Sequence, residues 1–429
     1  MSITVMKFGG TSVADAERIR SAARRAIRTH KKGQQVVMVV SAMGKSTDTL
    51  MTLANQATKG KQLPKREVDQ LLATGEQVTI SLMAMAIEAM GASAISFTAG
   101  QIDMVTDDAH TKAKIKSIAA HKIHDQLNKG KIVIVAGFQG VTEEGHVTTL
   151  GRGGSNVTLV ALAAALKAEH CENYTDVDGV FTADPRIVPN ARKISSISYD
   201  EMLELATQGV NVLHNRAVEF AKKFNVPIHL RNSQNNKKGT MIVAENESME
   251  KIVVRGAALK NNIARVSLRD IPDKPGNASR IFHAIAKQGI VVDDIIQQAQ
   301  KDGKNANITF TIESGDLDEC KKVIKTFTNK HKSTATYVEN LAKISVVGTG
   351  MQIHTGVAET MFNALYENNI NIENITTSEI KLSVLIHESQ GKDALRAVHD
   401  AFNLGKKAKL KTTRKKATRK STAKSFKVK

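Results

Sequence analysis

The sequence predicts an α/β protein: a mainly parallel sheet with helices on both faces, followed by two smaller modules. Two observations carry this. Up to about residue 244, strand-like apolar runs stop at glycines and give way to helical spacing. Beyond that point one pattern occurs twice, at an offset of 80 residues. A chain of 429 residues has room for two or three such domains.

The elements follow in order. Ile3–Phe8 is a short apolar run that ends at Gly9-Gly10. From Ala14 to His30 the spacing is helical, with Ile19, Ala23 and Ile27 on one face. Gln35–Val40 is rich in β-branched residues and reads as a strand. The strand-then-glycine pattern recurs at Lys131–Val135 before Gly137, and at Cys171–Tyr174 before Asp178-Gly179. In such sheets ligands sit at the carboxyl ends of the strands, where these glycine loops fall. In the second half, Gly276, Phe282, Ile290 and Asp293 are matched by Gly356, Phe362, Ile370 and Glu373. Each copy predicts a strand, a glycine-opened helix and a strand ending in an acid. The boundary between the halves falls near 245–262, and the second module ends near 404.

Composition excludes several classes. No apolar run approaches the roughly 18 residues of a membrane helix, so no membrane partner is expected. The N-terminus lacks the order of a secretory signal. Cys171 and Cys320 lie too far apart for a metal knuckle or a disulfide framework, and no metal ligand set is read. A reducing, cytoplasmic location follows. The net charge of +19 resides largely in a tail: Lys406–Lys429 holds 12 Lys/Arg and no acid, leaving +7 for the other 405 residues. Such a block is expected to be disordered, either as a solvated extension or as a polyanion-binding arm.

Four loops carry chemistry. In Val5–Val13 a glycine pair after a strand lets backbone N–H groups reach phosphate oxygens, and Lys7 adds a full charge beside them. A glycine pair alone also suits a tight turn. The second loop, Ser41–Asp48, ends in Gly44-Lys45-Ser46 but has Val39 where a P-loop needs its first glycine, so a Walker A site is rejected. It remains a hydroxyl-rich turn with Ser41, Ser46 and Thr47. The third, Thr148–Asn156, sets Arg152 and Ser155 among three glycines, and the planar arginine fork matches a carboxylate substrate. The fourth, Tyr174–Arg186, holds three aspartates that suit a nucleotide, Mg²⁺ or an ordinary turn. His121 and His124 lie on an amphipathic helical stretch and find no partner for a triad.

These loops, in this order, resemble the aspartate kinases of the amino acid kinase family, from about residue 3 to residue 404. KFGGTSV, SAMGKSTD, ATGEQ (Ala73–Gln77), TLGRGGS and YTDVDGVFTADPRIVP carry the likeness. Ile271–Phe282 and Ile344–Phe362 are similar to ACT modules, as is Ile375–Val384. The resemblance implies a catalytic domain over 1–244, ACT modules of βαββαβ type over 262–330 and 331–404, and a basic tail over 405–429. It implies transfer of the ATP γ-phosphate, with Mg²⁺, to the β-carboxylate of L-aspartate, on the route to lysine, threonine and methionine. A fused homoserine dehydrogenase is not expected, since about 25 residues follow the second module.

Residue by residue, it puts Lys7, Phe8, Gly9 and Gly10 at the phosphoryl group. Ser41, Thr47, Glu76, Arg152, Gly153, Gly154 and Ser155 would hold aspartate, with Glu76 toward its ammonium and Arg152 toward a carboxylate. Thr175, Asp176, Phe181, Asp184 and Arg186 would line the nucleotide. Asp273, Gly276, Ala278, Asp293, Gln297, Asn371, Ile372, Thr377 and Ser378 would bind an amino acid effector, lysine or threonine. A homo-oligomer through the ACT modules is implied. Three positions depart from the family pattern: Asn156 stands for a usual Asp, Asn211 for a nucleotide-side Lys, and Asn215 for a Pro. Asn156 keeps a catalytic place by position while losing the charge. A second reading therefore stays open: a catalytically weak relative that senses amino acids. Asn277 and the Gln352–Gly356 loop also differ from common spellings.

Overall fold

The computed structural model describes residues 1–210, 212–246, 252–300, 303–331 and 333–406. Asn211 and most of the basic tail lie outside them. The first half contains β1 (Ile3–Phe8), α1 (Ala16–His30), β2 (Gln35–Val40), α2 (Ser46–Ala57), α3 (Lys65–Glu88) and β3 (Ala94–Phe97). Then come β4 (Val105–Thr106), β5 (Ile115–Ser117), α4 (Ala120–Asn128), β6 (Ile132–Ala136), β7 (Gln139–Val141), β8 (Val147–Thr149) and α5 (Gly154–Ala165). It closes with β9 (His170–Thr175), β10 (Ser196–Ser198), α6 (Tyr199–Thr207), α7 (Asn215–Phe224), β11 (Ile228–Asn232) and β12 (Thr240–Val243).

The main sheet has the order β10-β12-β11-β9-β1-β2-β6-β3. All its pairings are parallel except β11 with β12. The central strands are buried on both faces, which is why they read as continuous apolar runs. Alternate residues serve opposite cores. Met6, Met38 and Ile134 pack against α1 and α3, through Ala23, Ile80 and Met83. Val5, Val37 and Val135 pack against α4, α5 and α7 on the other face, through Ile123, Leu159 and Ala217. Lys7 lies on the second face, at the strand's carboxyl end. A small sheet, β5-β4-β7-β8, flanks the same end; periodicity gave no sign of it, because its strands have only two or three residues.

The regulatory half contains β13 (Gly256–Pro272), α8 (Asn277–Lys287), β14 (Ile295–Ala299), β15 (Asn305–Glu313), α9 (Leu317–His331), β16 (Thr334–Val347), α10 (Val357–Glu367), β17 (Asn374–Thr377), β18 (Lys381–His387) and α11 (Gly391–Ala401). Its six strands form one sheet, β14-β15-β13-β16-β18-β17. The modules interleave across the expected division at 330/331. The first part of β13, Gly256–Lys260, pairs with Lys343–Val347, and Ala257 shares a core with Ile344, Met361 and Ile386. The later part, from Ile263, runs beside β15 and packs Val266 on Ile285 and Phe310. The first module is thus inserted behind the opening strand of the second. Asn262 (φ 58) and Asn340 (φ 57) take up the register shifts where the two strands pass from one module to the other.

One expectation is corrected. Asp293 and Glu373 do not end strands: β14 begins at Ile295 and β17 at Asn374. Ile290 and Ile370 are buried in the two cores, but strand pairing does not begin until the acids. The Asp293 N–H then donates to Thr311 O, and the Glu373 N–H to Leu385 O. Each acid therefore marks the entry into an edge strand.

Candidate active site

At the carboxyl ends of β1, β2 and β6, a cavity of about 640 Å³ opens. Lys7, Gly10, Ser41, Thr47, Glu76, Arg152, Gly153, Gly154, Ser155 and Asn156 all line it. Three loops and the helix α3, far apart in sequence, thus meet in one place. Two glycines are required by close approach. A Cβ at Gly10 would lie 2.8 Å from Ala42 O, and one at Gly153, where φ is +71, would lie 2.4 Å from the His214 side chain. Gly153 also precedes α5, so the first-turn residues Gly154–Asn156 line the cavity at the positive end of that helix, while the Gly154 and Asn156 N–H groups themselves donate to Gly151 O and Gly153 O, both at 2.9 Å.

Lys7 is 8% exposed. Burial pushes its ammonium down to about 8, against Asp176, which pulls it up. Glu76 is the opposite case. Burial pushes its carboxyl up to about 7, although the Ala42 N–H donates to Oε1 at 2.9 Å. Its Oε2 is buried and has no partner. The Ser41 hydroxyl donates to Ser155 Oγ at 3.0 Å, tying the second loop to the third. Asn156 Oδ1 is also buried and without a partner, as is Oδ1 of Asn173, which pairs in register with Lys7. Phe8 turns to the other face, where it stacks on Tyr174 at 4.7 Å.

The remaining expected residues are not among the cavity's lining. Thr175 and Asp176 end β9, with the Thr175 hydroxyl donating to Asp176. Asp184 and Arg186 pair at 2.7 Å, and Arg186 is 88% exposed; its hydrogen bonds hold the Asp184 carboxyl below the usual range, against burial. Phe181 bridges Lys193. On the effector side, Asp273, Gly276 and Ala278 gather at the start of α8. Asp293 instead contacts Lys343 at 2.7 Å. Burial opposes its charge, yet Lys343 outweighs that and keeps it below the usual range. Gln297 lies on the exposed β14, and Asn371, Ile372, Thr377 and Ser378 surround β17.

Sequence reading missed Asp69, Thr111, Phe138 and Thr149, although the last three line the cavity. It also passed over His214, which packs on Gly153, and Arg216, which donates to Leu150 O and Ala113 O. No motif marks Asp69, Thr111 or Phe138, whereas Thr149 stands in TLGRGGS and His214 and Arg216 in the 209–216 stretch with no role assigned, since each acts through contacts distant along the chain.

Comparison with known proteins decides the family. Residues 2–232 match the amino acid kinase family and residues 344–402 match an ACT domain. The chain is 50% identical over 407 residues to an aspartokinase of Bacillus sp. (strain MGA3), covering 94% of this chain and 98% of that one. It is 49% identical to aspartokinase 2 of Bacillus subtilis (strain 168), covering 95% and 99%. The chain belongs to the aspartokinases. Their fold recurs in the crystal structure of Escherichia coli aspartokinase III in complex with aspartate and ADP, with a TM-score of 0.78 at 24% identity, covering 93% of this chain and 99% of that chain. Aspartate kinase from Synechocystis is 40% identical, with a TM-score of 0.52, and is covered to 70% by this chain, of which it covers 94%. As an aspartokinase the chain is a phosphotransferase that uses ATP to convert L-aspartate to 4-phospho-L-aspartate. This is the first step toward lysine, threonine and methionine, under feedback through its ACT domains. Among the described residues no helix is long and apolar enough to cross a membrane.

Proposed function

We propose that the cavity between α3 and α5 binds L-aspartate and that Lys7 holds the phosphoryl group in transfer. The observation that carries this is the meeting of Arg152, Lys7 and the unpartnered Oε2 of Glu76 in one cavity. An α-amino dicarboxylate offers an ammonium for Glu76, a carboxylate for the Arg152 fork and a second carboxylate to react. An oxygen of that second carboxylate attacks the γ-phosphorus. The bond from phosphorus to the β,γ-bridging oxygen breaks, and ADP leaves with the electron pair. Lys7 and the positive end of the α5 dipole offset charge on the phosphoryl oxygens, so the protein contributes positioning and charge rather than covalent chemistry.

Among the described residues no three His, Cys, Asp or Glu cluster as a metal cage. That suits Mg²⁺ arriving on the nucleotide phosphates, since Mg²⁺ keeps waters and takes few protein ligands. The unpartnered Asn156 oxygen fits such a hard cation, and the ion would neutralise phosphate charge. Thr175, Asp176, Phe181, Asp184 and Arg186 take the nucleotide side; Asn211 belongs with them and lies outside the described residues. Effector binding falls to the start of α8 and the β17 edge, with lysine, threonine or both as ligand.

The test is turnover with MgATP and L-aspartate, trapping the acyl phosphate as its hydroxamate. Lys7→Ala is expected to lower kcat by about 10²–10³-fold, and Arg152→Ala to raise the aspartate KM with little change for ATP. Equal effects of Arg152→Ala on both substrates would remove aspartate from this cavity.

A further inference from the structure

Asp69 is fully buried, on the first turns of α3, seven residues before Glu76. Nothing in the catalytic account uses it. Its carboxylate is nonetheless saturated by three residues from two separate segments. The Thr111 N–H donates to Oδ1 and Oδ2 at 3.1 and 3.0 Å. The Thr149 hydroxyl donates to Oδ1 at 2.5 Å, and His110 Nδ1 lies 2.7 Å from Oδ2. Both segments, through Thr111 and Thr149, reach the cavity.

Thr111 is held in an unfavourable backbone conformation, φ +71. A β-branched residue rarely enters the left-handed region, because its Cβ crowds the backbone. Among the described non-glycine residues with positive φ, Thr111 is the only β-branched one and Phe138 (φ +70) the only aromatic one. Both line this cavity. Such conformations persist where the surroundings over-determine them, and they cluster at functional sites. Here the over-determining group is Asp69. The result is a fixed wall: Thr111 O abuts Gly151, 2.9 Å from where a Cβ would stand, beside Arg152.

We propose that Asp69 is a positioning residue that locks Thr111 as the cavity wall, and that this wall sets the length of amino dicarboxylate admitted. This rests on the assignment of the cavity to aspartate. The charge of Arg152 selects a carboxylate of any length, whereas a rigid wall at its side discriminates aspartate from its homologue with one more methylene. A methylene that must be excluded is worth roughly 10–200-fold in selectivity.

The experiment compares the aspartate KM with the inhibition constant of L-glutamate in the full chain and in T111G, D69N and R152A. Glycine adopts φ +71 without strain, so T111G keeps its melting temperature or gains. Its ratio of glutamate Ki to aspartate KM is expected to fall at least tenfold, with the ATP KM within twofold. D69N is expected to lower the same ratio by freeing the wall. Should D69N not fold, T149V serves, removing one donor and leaving the carboxylate. R152A is expected to weaken aspartate and glutamate together. An unchanged ratio in folded T111G overturns the wall. An unchanged ratio in D69N, or in T149V where that stands in, overturns the role of Asp69. If R152A leaves both acids unaffected, it is the assignment of the cavity that fails instead.

Discussion

Lys7 and Glu76 show how burial prepares two side chains for opposite tasks. Each is moved toward neutrality by desolvation, and each must be charged to act in the role proposed for it. Aspartate binding needs the Glu76 carboxylate, so kcat/KM for aspartate is expected to fall as the pH drops through about 7. Phosphoryl transfer needs the Lys7 ammonium, so the same quantity falls as the pH rises through about 8. The profile is a narrow bell belonging to the free enzyme. Asn156→Asp places a carboxylate in the cavity with Lys7 and is expected to move the alkaline limb upward, by favouring the ammonium. A profile flat between pH 6 and 9 would sink both assignments. The motif loops named Lys7 and Glu76, but not their environments. Lys7 follows four residues of the same buried strand, yet only the approach of α5 and the third loop completes its burial.

At the scale of elements, β14 stands out. All five of its residues are exposed, with Ile295 at 52% and Ile296 at 37%. A strand in an antiparallel sheet ordinarily covers one face and alternates in burial. Its outer edge also carries unpaired N–H and C=O groups, which proteins normally cover or charge. We propose that a second copy of the chain docks here through its own regulatory sheet, which would cover both features. Ile296→Lys is expected to shift sedimentation toward the protomer without changing the fold by circular dichroism. Unchanged sedimentation would place the assembly elsewhere. The sequence pattern identified this region as a repeated helix and strand, but put the strands before Asp293 and Glu373. The error has a simple cause: Ile290 and Ile370 are buried by helix packing, and an apolar run beneath a helix has the same composition as a strand.

At the scale of the molecule, the two halves share cores and buried polar links. Ala183 and Val188, from the loop that carries Asp184 and Arg186, enter the core of the second ACT module. Thr182 Oγ1 meets His399 Nε2 of α11 at 3.0 Å. Arg255 and Glu201 form an ion pair at 3.2 Å, with side chains 8% and 0% exposed. Glu201 also caps α6 and accepts from the Thr349 N–H. Removing one member of such a pair leaves a buried charge, so Arg255→Leu is expected to cost about 3–5 kcal/mol, read as a lowered melting midpoint. A loss below 1 kcal/mol would mean that water replaces the arginine. These links connect the regulatory sheet to the loop that carries Asp184 and Arg186, the route an effector would use in the proposed assignment.

The chain's own order of residues determined the parallel sheet, its glycine loops and the paired modules. Those features are local: a period of two or 3.6, a glycine after a strand, a pattern repeated at 80 residues. It also named ten of the residues that line the cavity. Tertiary structure alone decided that Asp69 joins Thr111 and Thr149, partners 42 and 80 residues away. Likewise it alone decided that the first ACT module is threaded through the second. A buried carboxylate takes its donors from whatever segments packing brings near, and a long strand is divided between two cores by the helices that cover it. Neither choice leaves a period in the sequence, because each is settled by desolvation and close packing after the chain has closed on itself.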